Sequence, residues 1–216
     1  MPADAYTAAD QSAFSSIGSN YLVDPDVQRM LRVRSGDDQA FEELVANYQG
    51  RVLGLLTHMN GTADGAEDMA QEVFLRVYRS RLTYEPAARF STWLFRITQN
   101  VAFNRRRTLS RRKETRFNED ASGSFSSFGP GSVPERSGLT PQRRAAAGEV
   151  QDVVRTAIAR LNDRQRLALL LHRFEGLSYA EVGEVMDLSL PAVKSLLSRA
   201  RESLRHELEP FMSGDA

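Results

Sequence analysis

The chain has 216 residues, 41% of them apolar, with 28 Lys and Arg against 28 Asp and Glu and no cysteine. That length and apolar content support one or two packed domains, and the missing thiols exclude disulfides, thiolate catalysis and the usual zinc sites. A net charge of zero argues on its face against a nucleic-acid partner, but the distribution of charge matters more than its sum.

Acidic residues gather between Glu67 and Glu72 and near both termini, whereas basic ones gather at Arg105–Arg107, Arg111–Lys113, Arg143–Arg144 and along the last long helical pattern. Apart from Lys113 and Lys194 every basic side chain is Arg, the residue suited to bidentate phosphate and guanine contacts. The three histidines, His58, His172 and His206, form no metal-ligand cluster, so neither metal nor cofactor is expected. No apolar run is long enough to span a membrane and the first residues lack a signal-peptide core, which makes a soluble cytoplasmic protein the expectation.

Residues 1–23, rich in Ala, Ser, Asp and Gly, are expected to be a disordered tail. A first helix is expected from Asp24-Pro25, carrying Val27, Met30, Leu31 and Val33, with Ser35-Gly36-Asp37-Asp38 as punctuation. An amphipathic helix follows over residues 39–58, burying Phe41, Leu44, Val45, Tyr48, Val52, Leu55 and Leu56. The next, residues 64–79, contains AEDMAQEVFLRVYR. Met69, Val73 and Val77 point inward there, and Asp68, Gln71, Glu72 and Leu75 form an acidic patch with an apolar neighbour. No nucleophile, base or metal partner accompanies these carboxylates, and a solvated face is one reading of them. The other is a docking surface for a basic protein, where charge steers an encounter and apolar residues anchor it.

RLTYEPAARF, residues 81–90, reads as a loop with two aromatics. The helix FSTWLFRITQNVAFNRRR, residues 90–107, has a core stripe of Leu94, Ile97 and Val101, while Arg96, Gln99, Asn100 and Asn104 project outward. An amide and Arg face behind an aromatic loop suits single-stranded DNA, whose bases stack on aromatics and whose phosphates meet Arg. Trp93 is expected in the core. Residues 108–148 lack sustained periodicity, and their Ser/Gly/Pro-rich centre reads as a flexible basic linker.

The second half is expected to hold four helices. One spans residues 149–161 through Val150, Val153, Val154, Ile158 and Leu161, and a second, residues 164–174, is capped by Asn162-Asp163. Ser178 with Glu181 three residues on makes a capping box for the third. A break at Asp187-Leu188-Ser189 precedes the fourth, which has Pro191 in its first turn. Val193, Leu196, Leu197, Ala200 and Leu204 form its apolar back. Lys194, Ser195, Ser198, Arg199, Arg201 and Arg205 form its front. A short helix, a tight turn and a longer helix with a basic front is a helix-turn-helix, whose second helix reads the major groove. Gly183 stands where Ala is common and Asp187 where Gly is common; both are small or turn-tolerant and are expected to leave the geometry intact. Residues 209–216 are expected to be a tail.

This order of parts resembles the extracytoplasmic-function (ECF) sigma factors of bacterial RNA polymerase, in the sigma-70 family. AEDMAQEVFLRVYR resembles the core-polymerase-binding helix of region 2, and FSTWLFRITQNVAFNRRR the helix that melts and reads the −10 element. LNDRQRLALLLHRFEGLSYAEVGEVM resembles the start of region 4, and LPAVKSLLSRARESL its −35-reading helix. The resemblance implies an all-α chain of two small helical domains, region 2 over residues 24–107 and region 4 over residues 149–208, each acting on its own side of the linker. It implies that the chain is no enzyme but binds core RNA polymerase and promoter DNA. Asp68, Gln71, Glu72 and Leu75 would face polymerase, while Tyr84, Arg89, Arg96, Gln99, Asn100 and Asn104 would serve the −10 strand. Lys194, Ser195, Ser198 and Arg199 would face the −35 element, with Arg201 and Arg205 on phosphates. An anti-sigma partner is also implied. The competing reading is a stand-alone helix-turn-helix regulator, which would need a phosphoacceptor, ligand pocket or dimer helix.

Overall fold

The computed structural model describes residues 21–60, 63–116 and 141–212. Most of the expected N-terminal tail, the centre of the linker and residues 213–216 lie outside the described residues. Eight α-helices and one short 3₁₀ turn, with no strand, make up the described chain.

Helix α1, Pro25–Arg34, starts where the sequence places it. The Asp24 carboxylate accepts the Asp26 N–H at 2.9 Å and Pro25 takes the first turn, so one orphan donor is satisfied and none is lost. Its stripe of Val27, Met30 and Val33 is buried. Gly36, at φ +95°, turns the chain, and Asp37 accepts the Ala40 N–H at 3.0 Å at the head of α2, Asp38–Asn60. Helix α3 spans Ala63–Arg79 and the 3₁₀ turn Arg81–Thr83. Helix α4, Phe90–Arg116, closes a bundle around Leu44, Tyr48, Val52, Leu56, Val73, Phe90, Leu94 and Phe95.

Helix α5 spans Pro141–Arg160 and α6 Asp163–Arg173. Helix α7 spans Tyr179–Met186 and α8 Leu190–Met212. Helices α6 and α7 both begin on reciprocal capping boxes, Asn162 with Gln165 and Ser178 with Glu181. The Arg166 guanidinium donates to the Ile158 carbonyl at 3.1 Å and to the Leu161 carbonyl at 2.9 Å. It thereby satisfies carbonyls that the end of α5 leaves without intrahelical donors. A satellite cluster of Ile158, Leu161, Leu169 and Ala200 fastens α5 to α6 and α8.

Three boundaries differ from the sequence reading. Helix α4 continues to Arg116 and α5 begins at Pro141, so the stretch between helices is shorter than residues 108–148. Arg, Lys, Gln and Ala are good helix formers, and they prolong a helix without the apolar period that marks one. The expected C-terminal tail is also helical up to Met212; Arg160 of α5 holds Glu207 of α8 in an ion pair, which anchors the last turns.

The larger departure concerns the relation of the halves. They are in contact here: α7 lies on α4, and the end of α2 meets α6. One apolar cluster runs through both halves, from Val27 to Leu197.

Candidate nucleic-acid and protein interfaces

In the helix-turn-helix, Asp187 adopts the left-handed conformation, φ 54° and ψ 52°, which its short polar side chain tolerates. The turn that follows folds down onto Gly183. The Gly183 carbonyl accepts the Leu188 N–H at 2.9 Å, and a Cβ placed on Gly183 would stand 2.7 Å from the Leu188 carbonyl oxygen. The glycine is therefore required by the close approach and is not a neutral substitute for alanine. Behind the turn Val193, Leu197 and Ala200 are fully buried. In front, Lys194, Ser195, Ser198, Arg199, Arg201 and Arg205 are all exposed along one side of α8. Arg201 donates to the Tyr179 hydroxyl at 2.7 Å, which ties the two helices of the motif together. The front of α8 thus remains open although the halves touch.

The surface of α4 is more mixed. Arg96, Asn100 and Asn104 recur every fourth residue and are exposed. Gln99 is half-buried, and its side-chain oxygen is buried without a hydrogen-bond partner. Arg89 is 63% exposed and lies 3.5 Å from Glu181 of α7. Tyr84 does not belong with this set: it is 2% exposed and packs edge-to-face on Trp93, 4.8 Å between ring centroids. Burial pushes its phenol well above the usual range. Its ring therefore serves the core, and Arg89 is the exposed member of the loop with chemistry to offer a strand.

Between α2 and α3 runs a groove. Gln71 and Leu75 line it from α3, together with Glu67 and Phe74. Asp38, Phe41, Glu42 and Val45 line it from α2. Its carboxylates are exposed and its apolar residues half-buried, apart from Leu75 at 49% exposure. Asp68 is exposed outside this lining. Glu72 accepts from Arg76 at 2.7 Å, an interaction that holds its carboxyl below the usual range. An acidic rim around an apolar trough is complementary to a basic helical partner. The α2 side of the groove was missed in the sequence because its residues repeat with the same period as those facing the core.

Opposed charges line the seam between the halves. The Arg51 guanidinium donates to the Glu175 carboxylate at 2.7 Å and the Glu175 carbonyl at 3.2 Å, and it rests on the Tyr48 and Phe95 rings at 5.0 and 5.3 Å. Burial pushes the Glu175 carboxyl up, and Arg51 opposes that rise. Arg106 pairs with Asp163.

The sequence matches two family models, Sigma-70 region 2 over residues 44–112 and Sigma-70, region 4 over residues 151–204. It is 34% identical over 187 residues to the RNA polymerase sigma-H factor of Pseudomonas aeruginosa, covering 87% of this chain and 95% of that one. To the ECF RNA polymerase sigma-E factor of Haemophilus influenzae it is 34% identical over 181 residues, covering 84% and 94%. The fold is similar to that of the sigma factor RpoE of Bartonella quintana in its complex with the anti-sigma factor NepR. The TM-score is 0.62 at 20% identity, covering 78% of this chain and 96% of that one. CnrH, solved with the cytosolic domain of CnrY, gives a TM-score of 0.61 at 23% identity, covering 85% and 97%. With a helix-turn-helix whose front is open, an Arg and amide face on α4, and relatives matched along nearly their whole length, the chain belongs to the ECF group of the sigma-70 family of RNA polymerase sigma factors.

Proposed function

We propose that this sigma factor binds core RNA polymerase and directs promoter-specific initiation with a division of labour among three surfaces. The groove between α2 and α3 takes a basic helical element of the polymerase. Arg89 and the α4 face of Arg96, Asn100 and Asn104 hold the opened −10 strand, and the front of α8 reads the −35 duplex. The observation that carries this reading is the exposure of Lys194, Ser195, Ser198 and Arg199 on one side of a helix whose other side is buried. Because a lone small helix-turn-helix binds duplex weakly and loses affinity steeply with salt, most of the affinity is assigned to polymerase. The chain catalyses nothing itself and works in the cytoplasm, where polymerase is. Among the described residues no helix is long and apolar enough to cross a membrane. An anti-sigma partner belongs to the proposal, since sigma factors of similar fold are known in such complexes. Matches to both sigma regions in one chain leave the stand-alone regulator without support.

The test is initiation by purified chain with sigma-free bacterial core polymerase on a promoter selected from a library. Specific start sites are expected only when both are present; footprinting by the chain alone, unchanged by core, would overturn the reading. Leu75→Ala removes the exposed apolar anchor of the groove and is expected to weaken core binding about tenfold, roughly 1.4 kcal/mol. Glu72→Arg is expected to weaken it too, by setting a cation against a basic partner. Titration of labelled chain with core measures both, and unchanged affinity for Leu75→Ala removes the groove from the interface. Arg199→Ala is expected to lower discrimination at one −35 position by about 1–3 kcal/mol, as loss of a bidentate base contact would. Equal weakening on every −35 sequence would instead mark a phosphate contact.

A further inference from the structure

The cations on the front of α8, Lys194, Arg199, Arg201 and Arg205, are not equivalent. Among the described residues Arg201 alone of these has a side-chain partner. That partner is neutral: the guanidinium donates to the Tyr179 hydroxyl at 2.7 Å. Arg201 is therefore held in place, yet it keeps its full charge and four of its five N–H donors. Tyr179 is itself braced. Its ring is half-buried against the core and lies edge-to-face on His172, 4.8 Å between centroids at 68°. The His172 Nδ1 stands 2.9 Å from the Leu177 carbonyl; a carbonyl only accepts, so Nδ1 carries the proton. Leu177 is buried and its N–H donates to the Leu171 carbonyl at 3.1 Å. From the α6 backbone to Arg201, each group is fixed by the one behind it.

We propose that Tyr179 is a positioning residue for −35 binding: its hydroxyl aims the Arg201 guanidinium at a backbone phosphate of the duplex, with His172 as the brace behind it. The proposal rests on the assignment of α8 to the −35 duplex.

The N-terminal residues of a recognition helix meet base edges. Arg201 lies about two turns beyond Lys194, where the helix leaves the bases and the backbone comes within reach. An arginine free in solvent loses side-chain freedom when it meets a phosphate; held on Tyr179, Arg201 has surrendered that freedom before DNA arrives. The head of α7 does not supply the charge itself, because the Glu181 carboxylate fills its cap by accepting the Ser178 N–H at 2.8 Å and offsets the positive end of the helix. A hydroxyl suits the holding role better than a carboxylate would. It orients the guanidinium without neutralising it, so the attraction for a phosphate is kept.

The test titrates a labelled promoter duplex with the full chain on core polymerase over a range of salt. Tyr179→Phe keeps the ring and removes the hydroxyl. It is expected to weaken binding about fivefold at every salt concentration, with the salt slope unchanged, because the charge still reaches the phosphate. Arg201→Ala is expected to weaken binding about tenfold at low salt and to lower the slope by about 0.9, as loss of one phosphate contact does. With Arg201→Ala in place, adding Tyr179→Phe should cost nothing more, since the hydroxyl works only through the guanidinium. Preference among −35 sequences should stay as it is in all three variants, because phosphate contacts carry no sequence information. Wild-type binding by Tyr179→Phe, a loss that adds to that of Arg201→Ala, or an unchanged slope in Arg201→Ala overturns the proposal. So does a melting temperature of Tyr179→Phe that falls in step with its affinity, which would mark a structural role alone. Wild-type affinity indifferent to the −35 element would sink the assignment of α8 as well, whereas dependence on that element with Tyr179→Phe unaffected sinks the proposal only.

Discussion

Truncating Phe95 to alanine is expected to destabilise the chain by about 4 kcal/mol. The ring is 0% exposed and among the largest fully buried side chains. Its removal loses transfer free energy and leaves a cavity that helices anchored on several sides are poorly placed to fill. For a chain of this size the melting temperature should fall by about 12 °C, and total stabilities are commonly about 5–15 kcal/mol, so the variant keeps a thin margin. Urea titration with the slope held against wild type measures the loss. A loss under about 1 kcal/mol would show that no fixed core surrounds the ring. A second effect separates Phe95 from an ordinary core residue: the Arg51 guanidinium lies over this ring. Truncation should therefore also loosen the hold of Arg51 on Glu175.

Gly183→Val is expected to cost about 3 kcal/mol, at the upper end of ordinary overpacking. The first added carbon would stand 2.7 Å from the Leu188 carbonyl oxygen and 3.7 Å from a Val193 methyl. The nearer obstacle is backbone, which cannot step aside as a side-chain tip can. Helix propensity opposes the clash, since a glycine inside a helix is worse than alanine by up to about 1 kcal/mol; Gly183→Ala should therefore cost less than Gly183→Val. The displaced turn carries α8 with it. Binding to a −35 duplex in the polymerase complex should fall by more than the melting curve suggests, because the front of α8 is re-aimed as well as loosened. A valine variant that melts with the wild type and binds the duplex equally would refute the close approach.

The sequence carried the helices well where one face is buried and the other is wet. Asn162 and Ser178 cap the helices they were expected to cap, because capping is a contact between near neighbours in the chain. Leu94 and Val101 are buried as expected, but Phe95 was missed. Helix α4 is packed on more than one side, by α2, α3 and α7, so its apolar residues do not keep to a single stripe. Tyr84 was assigned to DNA on its place in a loop. Only the tertiary contact with Trp93 withdraws it, and no local pattern announces such a contact. Gly183 was read as harmless for the same reason: what demands it is a carbonyl five residues away, across a turn whose tightness depends on Asp187. The front of α8 was legible because a basic face opposite an apolar one needs only the helical period. The contact between halves was not, since a charge on one element says nothing about which distant charge it will meet.

The two reciprocal caps on α6 and α7 have a mechanical consequence. Each is closed by side chains within three residues of the helix start, so the caps of both short helices are specified by local sequence, and the contacts of Arg89 with Glu181 and Arg106 with Asp163 come in addition to them. The head of each helix is therefore shaped by a few adjoining residues, so a substitution elsewhere in the chain should leave both helix starts in place.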